Sequence, residues 1–99
     1  MTSYMFQFEL PSEFTSEITA IIPKHREHVN KLFLKGTIIS YSVSKLRTSL
    51  WCVVVANDEQ EAMEIVAGFP LHPYFFDVMC HPLMFHNTMP NVLPEISLN

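Results

Sequence analysis

Leu50-Trp51-Cys52-Val53-Val54-Val55-Ala56 is the stretch on which the fold of this chain turns. Both alternating sets of side chains are apolar, so the run reads as a central strand that needs cover on two faces. Immediately before it, residues 45–49 make a turn. Immediately after it, Asp58 with Glu61 three residues later forms a capping-box variant. The helix it opens carries Ala62, Met63, Ile65 and Val66 and closes at Gly68.

Further out, residues 37–46 place Ile39, Tyr41 and Val43 on one side and Ser40, Ser42 and Ser44 on the other, a strand with one wet or loosely covered face. Residues 4–10 alternate Tyr4, Phe6, Phe8 and Leu10 against Met5, Gln7 and Glu9, the period of a half-buried strand. Between these two strands Phe14, Ile18, Ile21, Ile22, Val29, Leu32 and Phe33 recur at the spacing of one helical face, and Gly36 supplies the stop. Pro23 removes a hydrogen bond within that helix and predicts a kink or a division into two segments. On the C-terminal side, Gly68-Phe69-Pro70-Leu71-His72-Pro73-Tyr74 is a stiff connection whose prolines push Phe69 and His72 toward extended geometry. The last strand follows over residues 74–80.

The order is βαββαβ, an α+β ferredoxin-like subunit with a four-stranded antiparallel sheet in strand order 4-1-3-2. Both helices then lie on one face, and Cys52 and Cys80 fall on strands that are not neighbours, as suits free thiols. The other face is open. Trp51, Val53 and Val55 on it need cover, and a second copy of the sheet provides that symmetrically, so a homodimer is expected. The domain spans residues 1–86, and residues 87–99, broken by Pro90 and Pro94, form a mobile tail or an arm laid over a neighbouring subunit.

Composition narrows the partners. Only 16% of residues are charged, low for a small monomer, which again points to surface buried between subunits. A formal charge of -4 with no Lys/Arg cluster argues against nucleic acid or an anionic membrane, leaving small molecules and protein. The N-terminus lacks the marks of a signal peptide, and no apolar run approaches the roughly 20 residues of a membrane helix. A cytoplasmic protein is the expectation.

Among residues able to carry chemistry, His25 falls near the middle of the apolar stripe of the first helix, between Ile21 and Val29. It either hydrogen-bonds inside the core or lines a cavity between helix and sheet. Its ordinary pKa near neutrality suits proton transfer. Glu9 is a second acid or base candidate, with a solvated or interfacial carboxylate as its plainer reading. His25 and His28 are three apart, and His81 and His86 follow the last strand, but no acidic or thiol ligand joins them, so no metal is expected. Phe6, Phe8, Tyr41, Trp51, Phe75 and Phe76 are core residues or the walls of an apolar cavity. No phosphate-cradling glycine loop or nucleophile triad is present, and no cofactor is expected.

Taken with Gly36 to Gly68, the run G-F-P-L-H-P-Y followed by F-F-D-V-M-C-H-P-L-M-F-H resembles the muconolactone delta-isomerases. The resemblance implies a dimeric α+β barrel that assembles further into rings such as decamers, and a cofactor-independent shift of an allylic proton in a small unsaturated lactone. It assigns the catalytic positions to His25 and Arg26, where the family has Glu and Lys, with Arg26 as the oxyanion or carboxylate partner. Phe6, Tyr41, Trp51, His72, Tyr74 and His81 become substrate-binding candidates, and His72 replaces a family Phe. Pro23-Lys24-His25-Arg26 also resembles the first helix of YciI-like proteins, which implies the alternative of a non-catalytic binding or assembly module.

Overall fold

Alternation builds the first strand: Tyr4, Phe6 and Phe8 are buried along β1, Thr2–Glu9, and the residues between them stay half-covered. The computed structural model describes residues 1–87, so the expected tail or arm lies beyond the described residues from position 88 onward. After β1 come α1 (Ser16–Leu34), β2 (Ile38–Val43), β3 (Ser49–Ala56), α2 (Glu59–Ala67), a 3-10 turn at His72–Tyr74, and β4 (Phe76–Leu83). The sheet order is β2-β3-β1-β4, antiparallel throughout, which is the expected 4-1-3-2 ferredoxin-like arrangement.

The helix α1 starts where Thr15, in extended geometry, accepts the Ile18 N–H on its hydroxyl at 3.3 Å. It ends in a Schellman motif: Thr37 N–H reaches Leu32 C=O, Gly36 N–H reaches Phe33 C=O, and Gly36 takes φ +75. The helix is continuous through Pro23, against the expected division into two segments. Pro23 and Thr19 both lie on the exposed side, so the carbonyl that loses its partner faces water, while Ile18, His25 and Val29 hold the opposite side to the sheet.

Two other expectations change. In β2 a bulge between Ile38 and Ser40 turns Ile38 inward at 1% exposure and leaves Ile39 outside, whereas Tyr41 and Val43 keep the inner side. His72 opens a 3-10 turn rather than standing extended: Tyr74 N–H bonds Leu71 C=O at 2.9 Å, Phe75 N–H bonds His72 C=O at 3.0 Å, and Pro73 fits the helical φ. Asp58 caps α2 as expected, accepting the Glu61 N–H at 2.8 Å, and Glu61 reaches back to the Asn57 N–H at 3.3 Å. The last strand starts two residues later than expected and runs on through Pro82, which an edge strand tolerates.

Strand register sorts the side chains onto two faces. Tyr4 with Val54, Phe6 with Cys52 and Phe8 with Leu50 meet beneath the helices and form the core with Ala62, Val66 and Phe69. Fully burying such a side chain stabilises the fold by about 1.5–3 kcal/mol. Met5 with Val53 and Gln7 with Trp51 point the other way, and His81 and Met79 join them from β4.

Candidate functional site

A cleft of about 370 Å³ opens between α1, the β2–β3 end of the sheet and the Leu71–Phe75 loop. Phe14, Ile18, Ile22, Val29, Leu50 and Phe75 supply apolar wall, and His25, Tyr41, Tyr74, Arg26 and Arg47 supply its chemistry. An apolar body with a few convergent polar groups is the usual make-up of a small-molecule site.

His25 stands at the centre. Its side chain is 5% exposed, and the ring edge packs at right angles against Phe69 and Phe75. Nδ1 accepts the Leu71 N–H at 3.3 Å, and Nε2 lies 2.7 Å from the Tyr41 hydroxyl oxygen. Burial, with His28 adding a like charge nearby, lowers its pKa from 6.5 to about 4, so the ring is neutral at pH 7. Tyr41, on the inner side of β2, has its phenol pushed well above the ordinary value by burial, with Cys52 as a smaller cause. It is a neutral hydroxyl at any physiological pH. Cys52 is itself pushed up to about 12 by burial and is an inert thiol.

At the mouth, the Tyr74 hydroxyl donates to Glu17 Oε1 at 2.7 Å and ties the loop to the first turn of α1; that bond is the chief cause of its raised pKa. Arg26 and Arg47 are exposed on the rim, and neither has an ion-pair partner among the described residues. Arg47 sits at the tip of the β2–β3 turn with φ +58, in a loop held by Ser44 Oγ accepting the Thr48 and Ser49 N–H groups.

Of the residues singled out from the sequence, His25, Arg26, Tyr41 and Tyr74 therefore converge on one cleft. Phe6 is wholly buried in the core and does not line it. His72 lies in the 3-10 turn, also outside the lining. Trp51 and His81 stand on the opposite face of the sheet, as does Glu9, which accepts from Ser49 Oγ at 3.3 Å. The physical reason is strand parity: Trp51 pairs with Gln7, one residue out of phase with the buried Phe6 and Phe8. Nothing in the sequence marks Arg47 or the Leu71 amide as part of this cleft. A turn residue and a backbone group carry no periodic signal. Among the described residues, no three His, Cys, Asp or Glu side chains gather as a metal site would need, and no helix is long and apolar enough to cross a membrane.

Neither a protein-family model nor a curated protein matches this chain. Among solved structures it is similar to 5-chloro-2-hydroxyhydroquinone dehydrochlorinase (TftG) from Burkholderia phenoliruptrix AC1100, in complex with 2,5-dihydroxybenzoquinone. The match covers 82% of this chain and 91% of that one, with 16% sequence identity and a TM-score of 0.55. Identity so low speaks to the fold alone, a ferredoxin-like α+β arrangement of four antiparallel strands and two helices. It does not single out the muconolactone isomerases.

Proposed function

We propose that this protein takes a small oxygenated ring compound into the cleft between α1 and the sheet and polarises one of its oxygens. One observation carries this: the Tyr41–His25 pair is set into a cleft otherwise walled by apolar side chains. A hydroxyl donor aimed at a carbonyl oxygen stabilises the charge that develops there when a neighbouring C–H is ionised, which is the difficult half of a proton shift. The neighbour's complex with a benzoquinone supports a flat, oxygen-bearing ligand for this fold. The finer reading is a cofactor-independent isomerase acting on an unsaturated lactone or related metabolite, with Arg26 and Arg47 as cationic partners at the rim. In it, the Tyr41 hydroxyl donates to the developing enolate oxygen, His25 holds that hydroxyl in place, and solvent water at the cleft mouth takes up and returns the C–H proton.

A second reading, a binding or assembly module without turnover, is favoured by a different observation: both nitrogens of His25 already have protein partners. Muconolactone incubated with the protein in D₂O and followed by proton NMR separates the two. Catalysed exchange or migration of the ring proton supports the isomerase. Binding of muconolactone or 2,5-dihydroxybenzoquinone by calorimetry with no exchange supports the module, and no binding of either removes the proposed ligand class. We further infer a homodimer joined through the open sheet face, where Met79 is 46% exposed and Trp51 and Val55 are half-buried.

A further inference from the structure

We infer that the Leu71 amide locks His25 in the tautomer with its proton on Nε2, and that Tyr41 is thereby left to donate its own hydrogen into the cleft. The site then selects ligands that present a bare oxygen acceptor at that point, a carbonyl, enolate or phenolate. A ligand presenting an ammonium or other donor-only group leaves that hydrogen without an acceptor and is bound less well. This rests on the cleft being the ligand site.

The argument begins in the Pro70-Leu71-His72-Pro73 loop. Leu71 is the N-cap residue of the 3-10 turn, with φ -88 and ψ -1. The first N–H groups of such a turn have no partner within it. Leu71 is 8% exposed, so its amide cannot rely on water, and leaving it unmade costs about 1–3 kcal/mol. His25 Nδ1 is its acceptor at 3.3 Å. An amide N–H only donates, so Nδ1 carries a lone pair, and the one proton of a neutral imidazole must be on Nε2. Doubly protonated imidazole would turn an N–H onto the amide, so the same contact disfavours the cation.

With its proton on Nε2, the ring donates to Tyr41 Oη across the 2.7 Å contact. The hydroxyl is the acceptor in that bond and keeps its hydrogen for another group. No second hydrogen bond of Tyr41 occurs among the described residues, and the residue lines the cleft. The free hydrogen therefore points to a ligand oxygen. His25 is a positioning residue that acts through Tyr41, and the two prolines around Leu71 hold the amide that sets its tautomer.

Two measurements test this. Long-range proton–nitrogen correlation spectra of the full chain are expected to show a single ring proton on His25 Nε2 between pH 5 and pH 8, on the scale of ordinary histidine titration. A proton on Nδ1, or a ring doubly protonated at pH 6, overturns the proposal. Calorimetry with 2,5-dihydroxybenzoquinone is expected to give binding weakened roughly tenfold or more by Tyr41→Phe. His25→Leu is expected to weaken it as much, and His25→Gln, whose amide offers one acceptor and one donor, to recover most of that loss. Melting curves check that each variant is folded. Equal affinity of wild type and a folded Tyr41→Phe overturns the proposal. If wild type fails to bind the quinone, the proposed ligand class falls while the nitrogen spectra still decide the tautomer.

Discussion

The two faces of the sheet are made from the same strands and have opposite characters. Beneath the helices Phe6, Phe8 and Leu50 are at most 2% exposed, and the polar groups there, His25 and Tyr41, are paired to each other. On the other face Val53 is buried but Met5, Gln7, Trp51 and His81 stand half-covered or exposed, and among the described residues Glu9 accepts only from Ser49 and Gln7. The difference shows that histidine chemistry is decided by surroundings: His25 has a fixed hydrogen-bond geometry because it is enclosed, whereas His81 is an exposed side chain on an edge strand.

The sharpest way to break this contrast is to cut adjacent residues of β1. Phe6→Ala, which empties a wholly buried site, is expected to cost about 3–5 kcal/mol in urea unfolding. Gln7→Ala next to it is expected to change stability by less than about 0.5 kcal/mol. Similar losses for both would dissolve the distinction between the faces.

The pH dependence comes next in size. The pKa of His25 falls from 6.5 unfolded to about 4 folded, so the unfolded chain takes up the proton first. Its contribution is therefore complete above pH 6.5 and declines as pH falls through the window down to about 4, by about 3 kcal/mol in all. Tyr41 from β2 bonds the ring and His28 from α1 is the charge that acts on it, and neither supplies a negative charge to reverse the sign. Unfolding free energies of wild type and His25→Gln measured across that window are expected to diverge at neutral pH and converge in acid. Parallel curves would remove the enclosed-histidine account.

On the open face, Trp51→Lys is expected to weaken self-association at least tenfold, about 1.4 kcal/mol, by sedimentation equilibrium. A wild-type chain that sediments as a monomer at high concentration ends the homodimer proposal outright. The stop signals differ from each other. Gly36, at φ +75, has open space where a Cβ would go, so Gly36→Ala meets only backbone strain, about 1–2 kcal/mol in thermal unfolding. Gly68→Ala, at φ -81, is expected to stay within about 0.5 kcal/mol, since no left-handed backbone demands glycine there.

Much of this architecture was legible because periodicity is local. The alternation of Tyr4, Phe6 and Phe8, the doubly apolar 50–56 run and the stripe carrying His25 each report a burial pattern that the chain keeps in three dimensions. The β2 bulge escaped that reading, since it depends on how Ile38 and Ser40 meet Val54 and Val53 on another strand. The site was half-legible for the same reason. Histidine on an apolar stripe points inward on any helix, but whether Trp51 shares its side depends on the phase of β3 against β1.

The sequence by itself determined the order of elements, the caps at Asp58 and Gly36, the inward direction of His25 and the stiffness of the 68–74 loop, because each follows from torsion preferences and spacing within a few residues. Only the tertiary structure decided what His25 does. Its partners are Tyr41, 16 residues away, and the Leu71 amide, 46 residues away, and no local rule brings those groups to the two nitrogens of one ring.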